Sequence, residues 1–165
     1  MPSPPSPNYP NGVSPTVVSA SIRPNGSPLV QLSTGGALSY DAALLSWVRV
    51  AESWWASGSS AWKGRQRTSA SVTPGGAGNG VIATIESRIA EQVGSPVDAE
   101  KPRPTWWTVA MTLGHLESRM HAARVLGSAP EYRQALLLYA KTIADEGFRG
   151  KAEEVLRDLY GPVYW

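Results

Sequence analysis

The order of residue patterns predicts an α+β fold, a short antiparallel β meander resembling one propeller blade, followed by an antiparallel bundle of about four helices. Between Thr16 and Val50, apolar residues alternate in short runs broken by Asn-Gly and Gly-Gly turns, the period-two signature of strands. From Val81 onward they recur every three or four residues in four runs, each stopped by glycine or proline, as in amphipathic helices. With 165 residues and 42% hydrophobic content, the chain is long enough to bury one real core.

Residues 1-15 hold six prolines and almost nothing apolar, and are expected to form a disordered Pro-rich arm. The meander is expected over 16-50. Val17-Val18-Ser19-Ala20-Ser21-Ile22 leads into Pro24-Asn25-Gly26, where Asn-Gly supplies the positive φ angles of a tight turn, and then into Leu29-Val30-Gln31-Leu32. Thr34-Gly35-Gly36 turns into Ala37-Leu38-Ser39-Tyr40, and a turn near Asp41-Ala42 leads to Ser46-Trp47-Val48-Arg49-Val50, with Trp47 expected in the core. A lone blade buries too little to stand by itself and needs the downstream helices or further upstream blades. Residues 51-80, rich in Trp, Gly and Ser, read as a long loop.

The helical bundle is expected over 81-165. Val81, Ile85, Ile89 and Val93 repeat every four residues behind a possible cap at Asn79. Beyond Pro96, Pro102 and Pro104, a helix of about 105-126 carries Leu113, Leu116, Met120 and Ala123 as a stripe. The third, about 130-146, opens with Pro130, shows Tyr132, Leu136, Tyr139 and Ile143 on one face, and closes at Gly147. The fourth, about 148-160, is expected to bury Phe148, Ala152, Val155, Leu156 and Leu159 before Gly161-Pro162 stops it.

Catalytic and metal sites are expected to be absent, and no cofactor is implied. There is no cysteine, hence no thiolate nucleophile and no thiolate-ligated metal. His115 and His121 lie six residues apart, about 600° around a helix, so they point to opposite sides and read as surface or boundary residues. Asp145-Glu146 and Glu153-Glu154 are neighbours that diverge by about 100° rather than converge. Gly75, Gly76, Gly78 and Gly80 precede a helix, but no P-loop Lys-Ser/Thr pair follows, which favours a linker over a phosphate cradle. No run approaches the roughly 18 apolar residues of a membrane span and no secretory signal opens the chain, so a cytoplasmic or nuclear protein without membrane contact is expected.

A net charge of +2 is too small for a dedicated nucleic-acid surface, though Trp62 beside Lys63, Arg65 and Arg67 has the grammar of a weak single-strand contact. Seven tryptophans are the more informative excess, because tryptophan is enriched where partners dock. Trp54-Trp55 and Trp106-Trp107 are adjacent pairs whose members face different sides, so one of each pair is a candidate for partner binding, the alternative being satellite packing under the loops.

Several segments resemble the end of the HIRA/Hir histone-regulation proteins. Glu131-Tyr132-Arg133-Gln134-Ala135-Leu136-Leu137-Leu138-Tyr139, then Asp145-Glu146-Gly147-Phe148, then Leu156-Arg157-Asp158-Leu159-Tyr160-Gly161-Pro162 follow that family's EYR-x-x-L-L-x-Y helix, EGF-like turn and LLGP-terminated helix in order. Asn25-Gly26-Ser27-Pro28 through Ser33, Ala37 and Ser46-Trp47 resemble its hairpin, and Leu113, His115, Leu116 and Glu117 its T-L-x-x-L-E helix. The resemblance implies a nuclear histone chaperone subunit active in replication-independent nucleosome assembly and transcriptional repression. It further implies self-association as a trimer, binding to the large calcineurin-binding-protein-like subunit of the Hir complex, and histone contact through that complex. The alternatives are a nucleic-acid-binding module and a trimeric replisome-adaptor-like scaffold.

Overall fold

The computed structural model describes residues 14-62, 80-93 and 102-161. Most of the proline-rich arm, the Asn79 cap and the glycines at 75, 76 and 78 therefore lie outside the described residues. Four strands, β1 (Val17–Ile22), β2 (Pro28–Leu32), β3 (Gly36–Asp41) and β4 (Ser46–Glu52), form one antiparallel sheet in sequence order. Their register places Val30 opposite both Ala20 and Leu38, which sends Leu29, Gln31, Ala37 and Ser39 to the opposite, buried side.

β4 departs from the simple pattern in two ways. A bulge beside Ala37 and Leu38 lets the consecutive residues Val50 and Ala51 both be buried, because the extra residue leaves the ladder without passing to the other face. Trp47, expected in the core, is 54% exposed: it pairs with Tyr40 on the far side of the sheet and meets that ring edge-on at 5.9 Å. Strand parity explains this, since burying Val50 and half-burying Val48 turns Trp47 outward. The strand also runs on to Glu52 and passes into a short 3-10 helix, Ser53–Ser57, where the sequence reads as loop.

Four helices follow: α1 (Val81–Val93), α2 (Thr105–Val125), α3 (Ala129–Asp145) and α4 (Arg149–Tyr160). α2 is the central element. Ala122, Ala123 and the adjoining Leu126 join the sheet and Ile82, Ile85 and Ile89 of α1 in one cluster, while Leu113 and Leu116 meet Ala135, Tyr139 and Ile143 of α3 in another. No helix among the described residues is long and apolar enough to cross a membrane.

The helix ends show why particular motif residues occur where they do. At the N-terminus of α1, the backbone N–H groups of Ile82 and Ala83 donate to the Glu131 carboxylate at 3.2 and 3.1 Å, and Ser128 donates to the same group at 2.9 Å. A carboxylate there satisfies two orphan donors and complements the helix dipole. Gly80 permits the approach, since a Cβ there would fall 2.1 Å from the Glu131 carboxyl carbon. At the other end of the core, the Asn25 amide and Ser27 hydroxyl both donate to the Val125 carbonyl, at 3.0 and 2.8 Å, so the β1–β2 turn caps α2. Gly127 and Gly147, at φ 66° and 70°, each end a helix with the paired bonds of a Schellman motif, Ser128 N–H to Ala123 C=O and Phe148 N–H to Ile143 C=O.

α4 differs from its sequence expectation. None of its residues is buried, and only Ala152 and Val155 pack against the α2–α3 cluster. Phe148, Leu156 and Leu159, expected in the core, are exposed. The apolar stripe is real, but it is wider than the strip that α3 and α2 cover.

Candidate functional site: a sealed polar clasp and an open helical face

The α1 stripe carries a glutamate among isoleucines, and the matching face of α2 carries Thr112, His115 and Arg119 at helical spacing. Packing α1 against α2 brings these groups together. The Ser59 hydroxyl lies 2.7 Å from His115 Nδ1, and His115 Nε2 lies 2.7 Å from Glu86 Oε1, which also pairs with Arg119 Nε at 3.4 Å. A carboxylate accepts only, so Nε2 carries the proton shared with Glu86; for a neutral imidazole Nδ1 then accepts from Ser59, whose oxygen in turn accepts from Ala61 N–H at 3.1 Å. Trp55 stacks on the imidazole at 5.5 Å and Trp62 tilts against it at 5.6 Å.

The order serine, histidine, carboxylate is that of a nucleophile relay, but its surroundings deny it a substrate. Ser59 is 0% exposed, His115 2% and Glu86 1%, so no carbonyl or phosphoryl group reaches the hydroxyl in this conformation. What the arrangement does is fasten the segment after the 3-10 helix, α1 and α2 to one another through satisfied buried bonds. The expectation of a surface or boundary position thus fails for His115, because α2 is covered on two sides rather than one. His121 matches it: its side chain is 43% exposed and lies 3.4 Å from Asp41. Among the described residues no group of three His, Asp or Glu is placed to hold a metal.

The tryptophan pairs divide. Trp55 is buried and Trp54, stacked on it at 3.8 Å, is exposed and donates to Glu52 at 2.7 Å. Trp106 is 69% exposed, while Trp107 is partly covered beside Gly58, with the Arg103 guanidinium 4.2 Å from its ring centre. Trp62 is 2% exposed and packed on His115, so it offers no face for stacking a base, contrary to the expectation for this loop. Its proposed companions Lys63, Arg65 and Arg67 lie outside the described residues.

The second region is the α3–α4 end. Leu137, Leu138, Phe148, Leu156, Leu159 and Tyr160 all stand exposed there. Between α2, α3 and α4 opens a cavity of about 160 Å³ with Met120, Leu136, Val155 and Leu159 in its lining and Glu117, His121, Arg124 and Asp158 among its polar groups. One polar cluster ties α4 down: Tyr139 donates to Glu117 at 2.6 Å, and Lys151 donates to Glu117 at 3.2 Å. Burial and the Glu117 carboxylate push the Tyr139 hydroxyl above its ordinary value, and the bond to Glu117 likewise raises Lys151.

Sequence reading missed Ser59, Glu86, Arg119 and Glu131 as organising residues. The available signal was a charged residue on an apolar stripe: Glu86 falls four after Ile82 and three before Ile89.

Comparison with known proteins gives a consistent answer. The family described as "Hira: TUP1-like enhancer of split" matches residues 6–159. Protein HIR1 of Mycosarcoma maydis is 36% identical over 89% of this chain, and Protein HIR1 of Yarrowia lipolytica 31% identical over 90%. The chain spans 16% and 15% of those two proteins. Among solved structures, a crystal structure of HIRA(644-1017) superposes with a TM-score of 0.65 at 28% identity, covering 93% of this chain and 44% of that one. With the sheet and the helix order in place and the family match running over nearly its whole length, this chain belongs to the Hira family.

Proposed function

We propose that this chain is a non-enzymatic assembly and protein-interaction domain of a HIRA-like histone chaperone, working in the nucleus in replication-independent nucleosome assembly and transcriptional repression. The observation that carries the reading is α4, a helix with no buried residue that leaves Leu156, Leu159 and Tyr160 exposed, with Leu137 and Leu138 of α3 exposed as well. A face of that kind on a folded domain marks a protein interaction site. Its partners are other copies of the chain, associating as a trimer, and the large calcineurin-binding-protein-like subunit of the Hir complex, with histones met through that complex. Trp54 and Trp106 supply further exposed aromatic anchors.

Sedimentation velocity across a concentration series tests this, together with capture of the large subunit. The chain should self-associate and retain that subunit. Leu156→Glu with Tyr160→Glu should abolish association while shifting the unfolding free energy of the monomer by no more than about 0.5 kcal/mol, as for substitutions on an uncovered surface. A chain that stays monomeric at every concentration and retains no large subunit would overturn the reading.

A further inference from the structure

Val155, Asp158 and Leu159 fall at i, i+3 and i+4, so they share one face of α4, and that face lines the cavity between α2, α3 and α4. Leu156 and Tyr160 share another face, about 100° further round. Met120 of α2 and Leu136 of α3 complete the apolar lining, and Leu159 keeps 52% exposure although it turns to the cavity. The volume of about 160 Å³ suits one large apolar group, since a cavity of about 150 Å³ takes benzene. Of the charged and titratable groups around it, most are engaged: Glu117 accepts from Tyr139 and Lys151, His121 lies 3.4 Å from Asp41, and Arg124 donates to the Tyr132 hydroxyl at 2.9 Å. Asp158 has no hydrogen bond or ion pair among the described residues. It also stands in the last turn of α4, where the helix dipole is already negative, and the neighbouring Arg157 turns about 100° away. A carboxylate so placed is unfavourable until a cation meets it.

We propose that this cavity receives a helical segment of a second protein, which sets one Leu, Met or Phe side chain against Met120, Leu136, Val155 and Leu159 and a Lys or Arg against Asp158. A hole sized for a single side chain is the form that takes an apolar anchor from a partner helix, and the flexible Met120 thioether adjusts to the shape of that anchor. The charge left over at the rim is negative, so the residue beside the anchor is basic. The inference rests on reading the chain as a protein-interaction domain, and it names the chemistry of one partner. It uses a different face of α4 from Leu156 and Tyr160, so occupation of the cavity and self-association are separable.

The scarcity of methionine gives a direct test. The chain holds three, Met1, Met111 and Met120, so methyl labelling for NMR makes Met120 a reporter of the cavity and Met111, packed against the cluster of the sheet and α1, an internal control. The labelled chain is titrated with blocked alanine-based helical peptides that carry one Leu, Met or Phe and an Arg one, three or four residues away, and with the same peptides bearing Glu for Arg. The Arg peptides should move the Met120 signal saturably and leave Met111 in place. The best of them should bind about threefold more tightly than its Glu counterpart, the scale of an exposed ion pair. Asp158→Lys should reverse that preference. The proposal is overturned if no peptide moves Met120, if Arg and Glu peptides bind equally, or if Asp158→Lys leaves the preference unchanged. It is overturned too if the Met120 signal moves with the concentration of the chain itself and no peptide displaces that shift, because a second copy would then be the occupant. A chain that stays monomeric yet binds the Arg peptides fails the self-association reading alone, and one that self-associates but binds none fails this inference alone.

Discussion

The two sides of α2 are built on opposite principles. Toward the sheet and α1, even the charged groups are buried, and Glu86, His115, Arg119 and Ser59 satisfy one another within a shell of Trp55, Trp62 and isoleucine. Toward α4, Leu156, Leu159 and Tyr160 are left exposed outside the Leu113–Leu116–Tyr139 cluster, and the polar contacts run through half-exposed Glu117 and Lys151. Polar inside and apolar outside is a costly combination for a domain that works alone. It fits one whose interior fixes geometry while its surface waits for partners.

The largest effect expected from disturbing this contrast is at the clasp. Glu86→Ala strands the Arg119 guanidinium and His115 Nε2 in a closed space, and should cost about 3–5 kcal/mol, measured by urea unfolding. A cost under about 1 kcal/mol would mean that water reaches the network and that it is not sealed. Next comes Glu131→Ala, which leaves the Ile82 and Ala83 N–H groups without their acceptor and should cost about 1–3 kcal/mol, with α1 amides exchanging first in hydrogen exchange. Unchanged exchange in α1 would show that its N-terminus does not depend on α3.

The smallest effect belongs to the open side and depends on pH. Tyr139 and Lys151 are both raised above their ordinary values of 10.0 and 10.5. A group raised on folding adds stability that is fully present below its unfolded value and disappears as pH climbs through the folded one. The domain should therefore lose stability above about pH 10, first in α4, and Tyr139→Phe or Lys151→Met should flatten that alkaline limb. An alkaline limb identical in both variants would place the titrating groups elsewhere.

Much of the architecture was legible in the residues. The hairpin at Asn25-Gly26 (with positive φ at Gly26 alone rather than, as expected, at Asn25 too), the four strands, the four helices and the Gly147 stop follow from local conformational preference and from periods of 2 and 3.6, which depend on neighbours along the chain. The site was legible only in outline. That one tryptophan of each pair would be left over follows from adjacency, but that it is Trp54 and Trp106 does not. Glu86 with His115 and Ser59 with His115 are 29 and 56 residues apart, and nothing in either local pattern points to the other.

The helix and strand periods therefore determined which side chains share a face. Packing decided what each face meets: that α2 is covered twice and buries His115, that the α1 N-terminus meets Glu131, and that α4 is covered on only a narrow strip. The physical reason is that burial belongs to a pair of surfaces. A stripe in the sequence describes one of them.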